Sequence, residues 1–296
     1  MLFTSPEVIA VAAALGGETG QYTAGEAADR LITLLTNPQY RGHGPEALGL
    51  TCAILSDPVL FASSATERVY QRLAETTVSI FADIRVYGLR LPGAYLRGVP
   101  LTGAHLTGAE LVGSNLLDCN LFGADLSGAN LTDVEAGAAT RFVGVTALGA
   151  KFVTAYVRES NFEGADLRGA DFTGARMWSA NLTDTTMGGA NLTGAELSAT
   201  TISTLDWRSA NLSAATLDHA VLASSKRGNL LDLRGADLTG ASLIGAKLFS
   251  VDLRGANLTG ADFTDAKLTD VNLDGAITVG MTMGRVQTTD VYGLPG

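Results

Sequence analysis

The sequence predicts an all-β solenoid over residues 89–276, a square coil with one side per five residues, preceded by a small α-helical domain at 1–88 and followed by a C-terminal cap or tail at 277–296. Three observations predict it. A large apolar residue recurs at every fifth position, as in Leu91, Leu96, Leu101, Leu106 and Leu111. Two positions before each of these stands a small residue, mostly Ala, with Ser114, Cys119, Ser160, Thr185 and Thr200 as replacements. Two positions after it Gly is frequent, as at Gly103, Gly108, Gly123 and Gly128.

A period of five fits neither the 3.6 of a helix nor the 2 of a strand, so no single regular element buries both the large and the small position. The chain must therefore turn every five residues. With four such sides per coil, the large and the small residue both point inward and each coil returns above its start. Rows of Leu then stack at the ~4.8 Å spacing of paired strands. Gly suits the corner, where a tight turn takes positive φ. Each buried Leu contributes roughly 1.5–3 kcal/mol, but one coil alone cannot cover its apolar row, and stacking supplies the cover.

The first 88 residues lack this period and read as helical. Ser5-Pro6-Glu7 marks a helix start with Pro at the first position. Thr23 to Glu26 and Ser64 to Glu67 fit capping boxes, each opening an apolar run at helical spacing: Leu31, Ile32, Leu34 and Leu35, then Val69, Leu73 and Ile80. A further helix is expected between Pro45 and Asp57-Pro58, with a loop over 37–45. The expectation is a bundle of about four helices, suited to cover the open end of a coil stack.

Along the solenoid the large residues run in three blocks, Leu91 to Leu131, Phe142 to Leu222 and Leu233 to Leu273. Leu131 to Phe142 and Leu222 to Leu233 span eleven residues where ten fits the period, so each break is read as one extra residue. The second break contains Lys226 and Arg227 and is the expected protruding loop, a place where rigid scaffolds carry specificity. Beyond 276, Ile277, Val279, Met281 and Met283 alternate with small or polar residues, as a final strand or a dimer contact would.

Composition narrows the function. The net charge of −10 argues against nucleic-acid binding, since phosphate contacts need Lys and Arg. No run of 18 apolar residues is present, and Val8 to Gly16 is too short to cross a bilayer. It lacks a basic n-region, so no signal peptide is expected. Cys52 and Cys119 fall in different regions, Cys119 at the small inward position, which reads as a packed thiol in a reducing cytoplasm. The glycosylation-type sequons at Asn130, Asn181, Asn191, Asn211 and Asn257 follow from the repeat itself, which places Asn before the large residue and Thr or Ser after it.

Catalytic constellations are thin. His43, His105 and His219 form no cluster at metal-ligand spacing. Asp232 and Asp252 stack one coil apart, ~5 Å, near the separation of a retaining glycosidase pair, yet a flat face offers no cleft and Arg234 and Arg254 stand beside them as counter-charges. No enzyme activity, cofactor or metal is expected. Grouping units four apart instead places Tyr156, Arg158, Arg176 and Trp178 outward on one face, with Glu159 and Glu196 nearby. These are residue types enriched in binding hot spots. An adjacent face carries Arg168 and Arg208 with Asp166 and Asp206, and the far end carries Asp262, Asp265, Asp270 and Asp274 with Lys267 as the nearby base, an acidic group able to meet a basic groove.

The pattern A-(D/N)-L-x-G, as in Ala165-Asp166-Leu167-Arg168-Gly169-Ala170-Asp171-Phe172-Thr173-Gly174, resembles the pentapeptide repeat family. The resemblance implies a right-handed quadrilateral β-helix of about nine coils, ~45 Å long, and gives precedent for homodimers joined through the C-terminal end. Some members resemble B-form DNA, bind DNA gyrase and other type II topoisomerases, and modulate their inhibition by quinolones. Two functions are thus expected: a non-enzymatic scaffold that presents a rigid face to a protein partner, and, as the alternative, a DNA mimic that binds a type II topoisomerase. The Lys and Arg residues of the rod and the helical N-terminal domain weigh against the second. Neither implies direct nucleic-acid or membrane binding.

Overall fold

The computed structural model describes residues 6–15, 22–36, 88–203, 206–224 and 229–294, with isolated positions between 50 and 72. Two helices, α1 (Pro6–Leu15) and α2 (Ala24–Thr36), pack on each other through Val11, Ala14 and Leu15 and through Ala27, Ala28, Leu31, Ile32 and Leu34, all buried. The capping box of α2 is formed: the Thr23 N–H donates to Glu26 Oε2 at 2.8 Å and the Glu26 N–H to Thr23 Oγ1 at 3.3 Å. That pairing holds the Glu26 carboxyl below its ordinary range, the bond from the Thr23 backbone foremost. The loop at 37–45 and the capping box expected at Ser64 lie outside the described residues.

From Gly88 onward the chain is a parallel β-solenoid. Most sides are too short to be strands and register as single bridges; the longer pairings are β1 (Glu135–Ala136), β2 (Tyr156–Val157), β3 (Thr201–Ser203), β4 (Val221–Ala223), β5 (Leu231–Asp232), β6 (Lys247–Asp252), β7 (Lys267–Asn272) and β8 (Gln287–Tyr292). One corner shows the geometry. The Ala104 N–H donates to the Leu101 carbonyl at 3.0 Å, closing a four-residue turn whose third residue, Gly103, has φ 64°. A positive φ at that position is what a type II turn requires. On either side of the corner the backbone bonds to the next coil, Leu101 N–H to Asn120 O at 2.9 Å and Gly103 N–H to Phe122 O at 2.8 Å.

Inside, among the described residues, every large residue of the period from Leu91 to Leu273 is buried, and so are the small ones. Phe142 stacks on Phe162 with ring centroids 4.5 Å apart, and Phe152 on Phe172 at 4.6 Å. Smaller inward residues, Ala136 and Val157, occupy the same levels, so large and small side chains together fill the interior. Three inward polar groups find backbone partners, Thr185 Oγ1 donating to Leu182 O at 2.9 Å, Thr200 Oγ1 to Leu197 O at 2.6 Å and Cys119 Sγ to Leu96 O at 2.8 Å, whereas Ser114 Oγ and Trp207 Nε1 are buried without a hydrogen-bond partner among the described residues. Burial pushes the Cys119 thiol up to about 12, which makes it an inert packing group.

The two register breaks differ. At the first, Asn115 pairs with Glu135 and Glu135 with Tyr156, a step of 21 residues where its neighbours take 20. The additional residue is absorbed in a six-residue side, 135–140, in which Gly137 is buried, the Thr140 N–H donates to Gly137 O at 2.8 Å and Thr140 Oγ1 to Leu116 O at 3.1 Å. At the second, Thr201 pairs with Val221, 20 residues on, but Val221 pairs with Lys247, 26 residues on, so 26 − 20 = 6 residues are inserted there. The expectation of one extra residue is thereby corrected. Leu222 and Leu233 flank a single corner with a six-residue insertion, because eleven is five plus six as well as ten plus one. Lys226 and Arg227 lie in that insertion, outside the described residues.

The ladder does not end at 276. Asn257 pairs with Ile277, Asp262 with Thr282, and β7 with β8. Ile277 and Val279 point outward at 52% and 70% exposure, whereas Met281 and Met283 turn inward against the core. The four therefore share no strand; a corner at Gly280, φ 68°, separates them. Among the described residues no helix is long and apolar enough to cross a membrane.

Candidate functional site

On each side of the coil two residues face outward, one just before the buried large residue and one just after it. Repeated from coil to coil, they form two columns. On one side of the solenoid the first column runs through Asn115, Glu135, Tyr156, Arg176 and Glu196, each bridged to the next. The second runs parallel to it and contains Arg158 and Trp178. The structure thus brings Tyr156, Arg158, Arg176 and Trp178 together as a two-by-two block in which ring and cation alternate.

The contacts inside the block run between coils. The Arg176 guanidinium lies over the Tyr156 ring, 4.5 Å from its centroid, and Arg158 lies 5.4 Å from the Trp178 centroid. Each such pair contributes about 0.5–1 kcal/mol at an exposed site. Arg176 also reaches Glu196, with Nε 3.7 Å from Oε1. Arg158 has no ion-pair partner among the described residues. Tyr156, Arg158 and Arg176 are exposed and Trp178 is half-buried. Both guanidinium groups are therefore held against rings, Arg176 with Glu196 beside it and Arg158 facing solvent.

A neighbour of this block was not legible in the sequence. β1 pairs directly with β2, so the six-residue side 135–140 lies immediately below Tyr156 and Arg158. At Gly137, where the second column would carry a side chain, a Cβ would stand 3.1 Å from Leu117 Cδ2. The second column is interrupted just under Arg158, and the exposed Ala138 and Ala139 flank the gap. The only signal for this was the spacing of Leu131 and Phe142, which gives no face.

A different side carries the Asp–Arg units. Arg168 Nη2 lies 2.6 Å from Asp166, Arg208 2.9 Å from Asp206, Arg234 2.7 Å from Asp232 and Arg254 2.7 Å from Asp252. In each unit Nε also donates to the same carboxylate, and the backbone N–H of the Arg joins it. Longer contacts link the coils, Arg208 to Asp232 at 3.6 Å and Arg234 to Asp252 at 3.8 Å. The Arg side-chain bonds hold the Asp166, Asp206 and Asp252 carboxyls below the ordinary carboxylate range. Asp232 and Asp252 are thus members of a charge ladder, each clamped by its own guanidinium.

The acidic group at the far end is not one patch. Asp262 shares the column of Tyr156 and accepts from the Thr264 N–H at 2.8 Å. Asp265 sits at the following corner, where Arg285 pairs with it at 2.6 Å. Asp270 occupies a corner inside β7 with φ 54°, and Asp274 follows on a further side. The four residues are close in sequence but spread around the coil, and Arg285 supplies a second base beside Lys267. Among the described residues no group of His, Cys, Asp or Glu is placed to hold a metal ion.

A family model described as pentapeptide repeats matches the chain in 8 copies, over residues 80–116, 100–134, 150–189, 160–198, 231–255 and 246–277. Among solved structures, the chain is similar to HetL, a pentapeptide repeat protein involved in heterocyst differentiation regulation from the cyanobacterium Nostoc sp. strain PCC 7120, at 28% identity over 60% of this chain and 86% of that one, with a TM-score of 0.31. It is similar to QnrB1, a plasmid-mediated fluoroquinolone resistance protein, at 20% identity over 69% and 91% of the two chains, TM-score 0.31. A pentapeptide repeat protein from the thylakoid lumen of Arabidopsis thaliana matches at 30% identity over 48% and 66%, TM-score 0.16. No curated protein matches the chain.

Proposed function

We propose that this chain, which belongs to the pentapeptide repeat family, is a non-enzymatic protein-interaction scaffold whose docking surface is the Tyr156–Trp178 block. One observation carries this: two aromatic rings and two guanidinium groups, outward on a rigid ladder, brace one another, and among the described residues Arg158 has no ion-pair partner. Aromatic residues and Arg supply most hot-spot energy in protein interfaces. Here their rotamers are already restrained by cation–π contact, which lowers the ordering cost of binding. A flat face without a cleft suits a macromolecular surface and not a small substrate.

Replacing Arg158 and Trp178 together by Ala is expected to reduce recovery of a specific partner from lysate by at least about tenfold, given typical hot-spot losses. An unchanged profile of bound proteins would sink this function for the face. The other expectation, a DNA mimic acting on a type II topoisomerase, is disfavoured by the Asp–Arg side, where Asp166, Asp206, Asp232 and Asp252 are each covered by a guanidinium. A mimic of B-form DNA needs its negative charge bare. Gyrase supercoiling, with and without a quinolone, is therefore expected to be unaffected by the purified chain; protection at micromolar concentration would reverse this ranking.

A further inference from the structure

The geometry points to a second copy of this chain as the partner of the Tyr156 side, lying alongside in parallel about a two-fold axis that runs along the ladder. This rests on the reading of that side as a docking surface and adds its occupant.

The argument is one of symmetry. On a single side, the residue before the buried position and the residue after it stand left and right of the midline. A two-fold axis along the ladder, in the plane between two copies, exchanges left and right but keeps the level. Each residue of the first column then meets the second-column residue of the same unit in the other copy, and the reverse contact follows. At two levels this sets a ring against a guanidinium, Tyr156 against Arg158 and Arg176 against Trp178, and at a third Tyr95 against Arg97, whose Nε donates to Asp118 of its own copy at 2.8 Å. Tyr156 is 42% exposed with Arg176 over its ring, which leaves part of the ring to a second cation.

The acidic levels agree. Glu196 meets Ser198 and Asp262 meets Thr264, while Glu135 meets the side-chain-free Gly137. No level from Tyr95 to Thr282 sets two charges of one sign against each other. The antiparallel arrangement centred on the same block does so at once, bringing Glu135 against Glu196. The Asp–Arg side obeys the same operator, but its guanidinium groups already donate from Nε and Nη2 to their own carboxylates. Burying those pairs would add a desolvation cost with few donors left to offset it.

The size of the contact sets its strength. The nine steps of the ladder from Tyr95 to Thr282, at ~4.8 Å each, give a strip ~43 Å long. With a face ~10 Å wide, about 430 Å² per copy is covered, below the usual ~800 Å² per partner of a stable complex. The dimer is accordingly weak and reversible.

Sedimentation equilibrium of the full chain from about 1 to about 300 µM, the range for a small interface, is expected to show a mass rising from 30.5 kDa toward twice that value. Arg158→Glu, which faces the partner's ring and also leaves Trp178, is expected to weaken association at least about tenfold with an unchanged circular dichroism spectrum. Register is read by cross-linking: under mild oxidation, a mixture of Glu196→Cys and Ser198→Cys variants is expected to give several times more linked dimer than either alone. A mass of one chain at every concentration overturns the dimer while leaving the docking surface to partner recovery by Arg158→Ala/Trp178→Ala. A dimer that withstands Arg158→Glu, or a mixture that cross-links no better than its components, overturns this geometry.

Discussion

The Asp–Arg side and the Tyr156 side use the same backbone and the same outward positions, yet they pair their charges in different directions. On the Asp–Arg side the partner lies within the unit, two residues away, where the carboxylate accepts from Nε, Nη2 and the backbone N–H together. Such a unit is complete on each coil. On the Tyr156 side the units hold a ring and a cation, and the contacts run from coil to coil, Arg176 over Tyr156 and Arg158 against Trp178. Nothing within the unit satisfies the guanidinium. The first arrangement supports solubility and closes its surface; the second keeps hydrogen-bonding capacity available to another molecule.

The interior is common to both, and removing part of it breaks the comparison from below. Phe162 stacks on Phe142 and meets Phe152 and Phe172 edge-on at 6.0 and 6.1 Å. Phe162→Ala is expected to cost about 3–5 kcal/mol of unfolding stability, read as a lower urea midpoint. Because coils are coupled only to their neighbours, this loss should carry the Tyr156 side, which lies on those levels, before the levels of Arg234 and Arg254. Hydrogen exchange on the two regions would separate a local from a global effect.

Next in size is the carboxylate that the Asp–Arg side buries most. Asp252 is 4% exposed and accepts from Arg254, with Arg234 3.8 Å away. Asp252→Asn leaves Arg254 without its charged acceptor, while Arg234 keeps Asp232, and is expected to cost about 1–3 kcal/mol, measured by the same denaturant titration. Arg158→Ala, which breaks no ion pair, should cost well under 1 kcal/mol. Equal losses would mean that the two sides are not built on different principles.

Acid sharpens the contrast further. Asp166, Asp206 and Asp252 have carboxyls held below the ordinary range by their Arg bonds, so the folded chain binds these protons less readily than the unfolded one. Their contribution is present above the unfolded value, ~3.9, and is lost as pH falls through the lower folded values. The melting temperature should therefore drop below about pH 4, and replacing the three by Asn should flatten that limb. Tyr156→Ala or Trp178→Ala should leave it in place, because neither removes a carboxylate.

Much of this was legible because the period is strict. Leu91 to Leu131 announces inward positions without exception, Gly103 and its equivalents announce corners, and counting four units places Tyr156, Arg158, Arg176 and Trp178 on one side. What stayed hidden required the pairing register. The spacing from Leu222 to Leu233 is the same number for one inserted residue as for six, and only the bond from Val221 to Lys247 decides. The same holds for Asp262, Asp265, Asp270 and Asp274, whose closeness in sequence conceals a walk around the coil. The placement of Gly137 beneath Arg158 depends on which coil absorbs the extra residue, a property of stacking energy that a single strand of letters does not express.

The smallest expected effect is the one that bears most on function. Trp178 is half-buried against Arg158, whereas Trp207 is 1% exposed inside the coil. Acrylamide should therefore quench one tryptophan and spare the other, and Trp178→Ala should leave only the protected emission. The same variant is expected to change stability by no more than about 1 kcal/mol, the size of its cation–π pair with Arg158. A side chain of that size that does so little for folding occupies its position for another reason, and Trp178 is the residue for which this can be measured directly. If Trp178→Ala destabilised the chain as strongly as Asp252→Asn, the ring would be part of the frame, and the Tyr156 side would lose its claim to be the surface that binds.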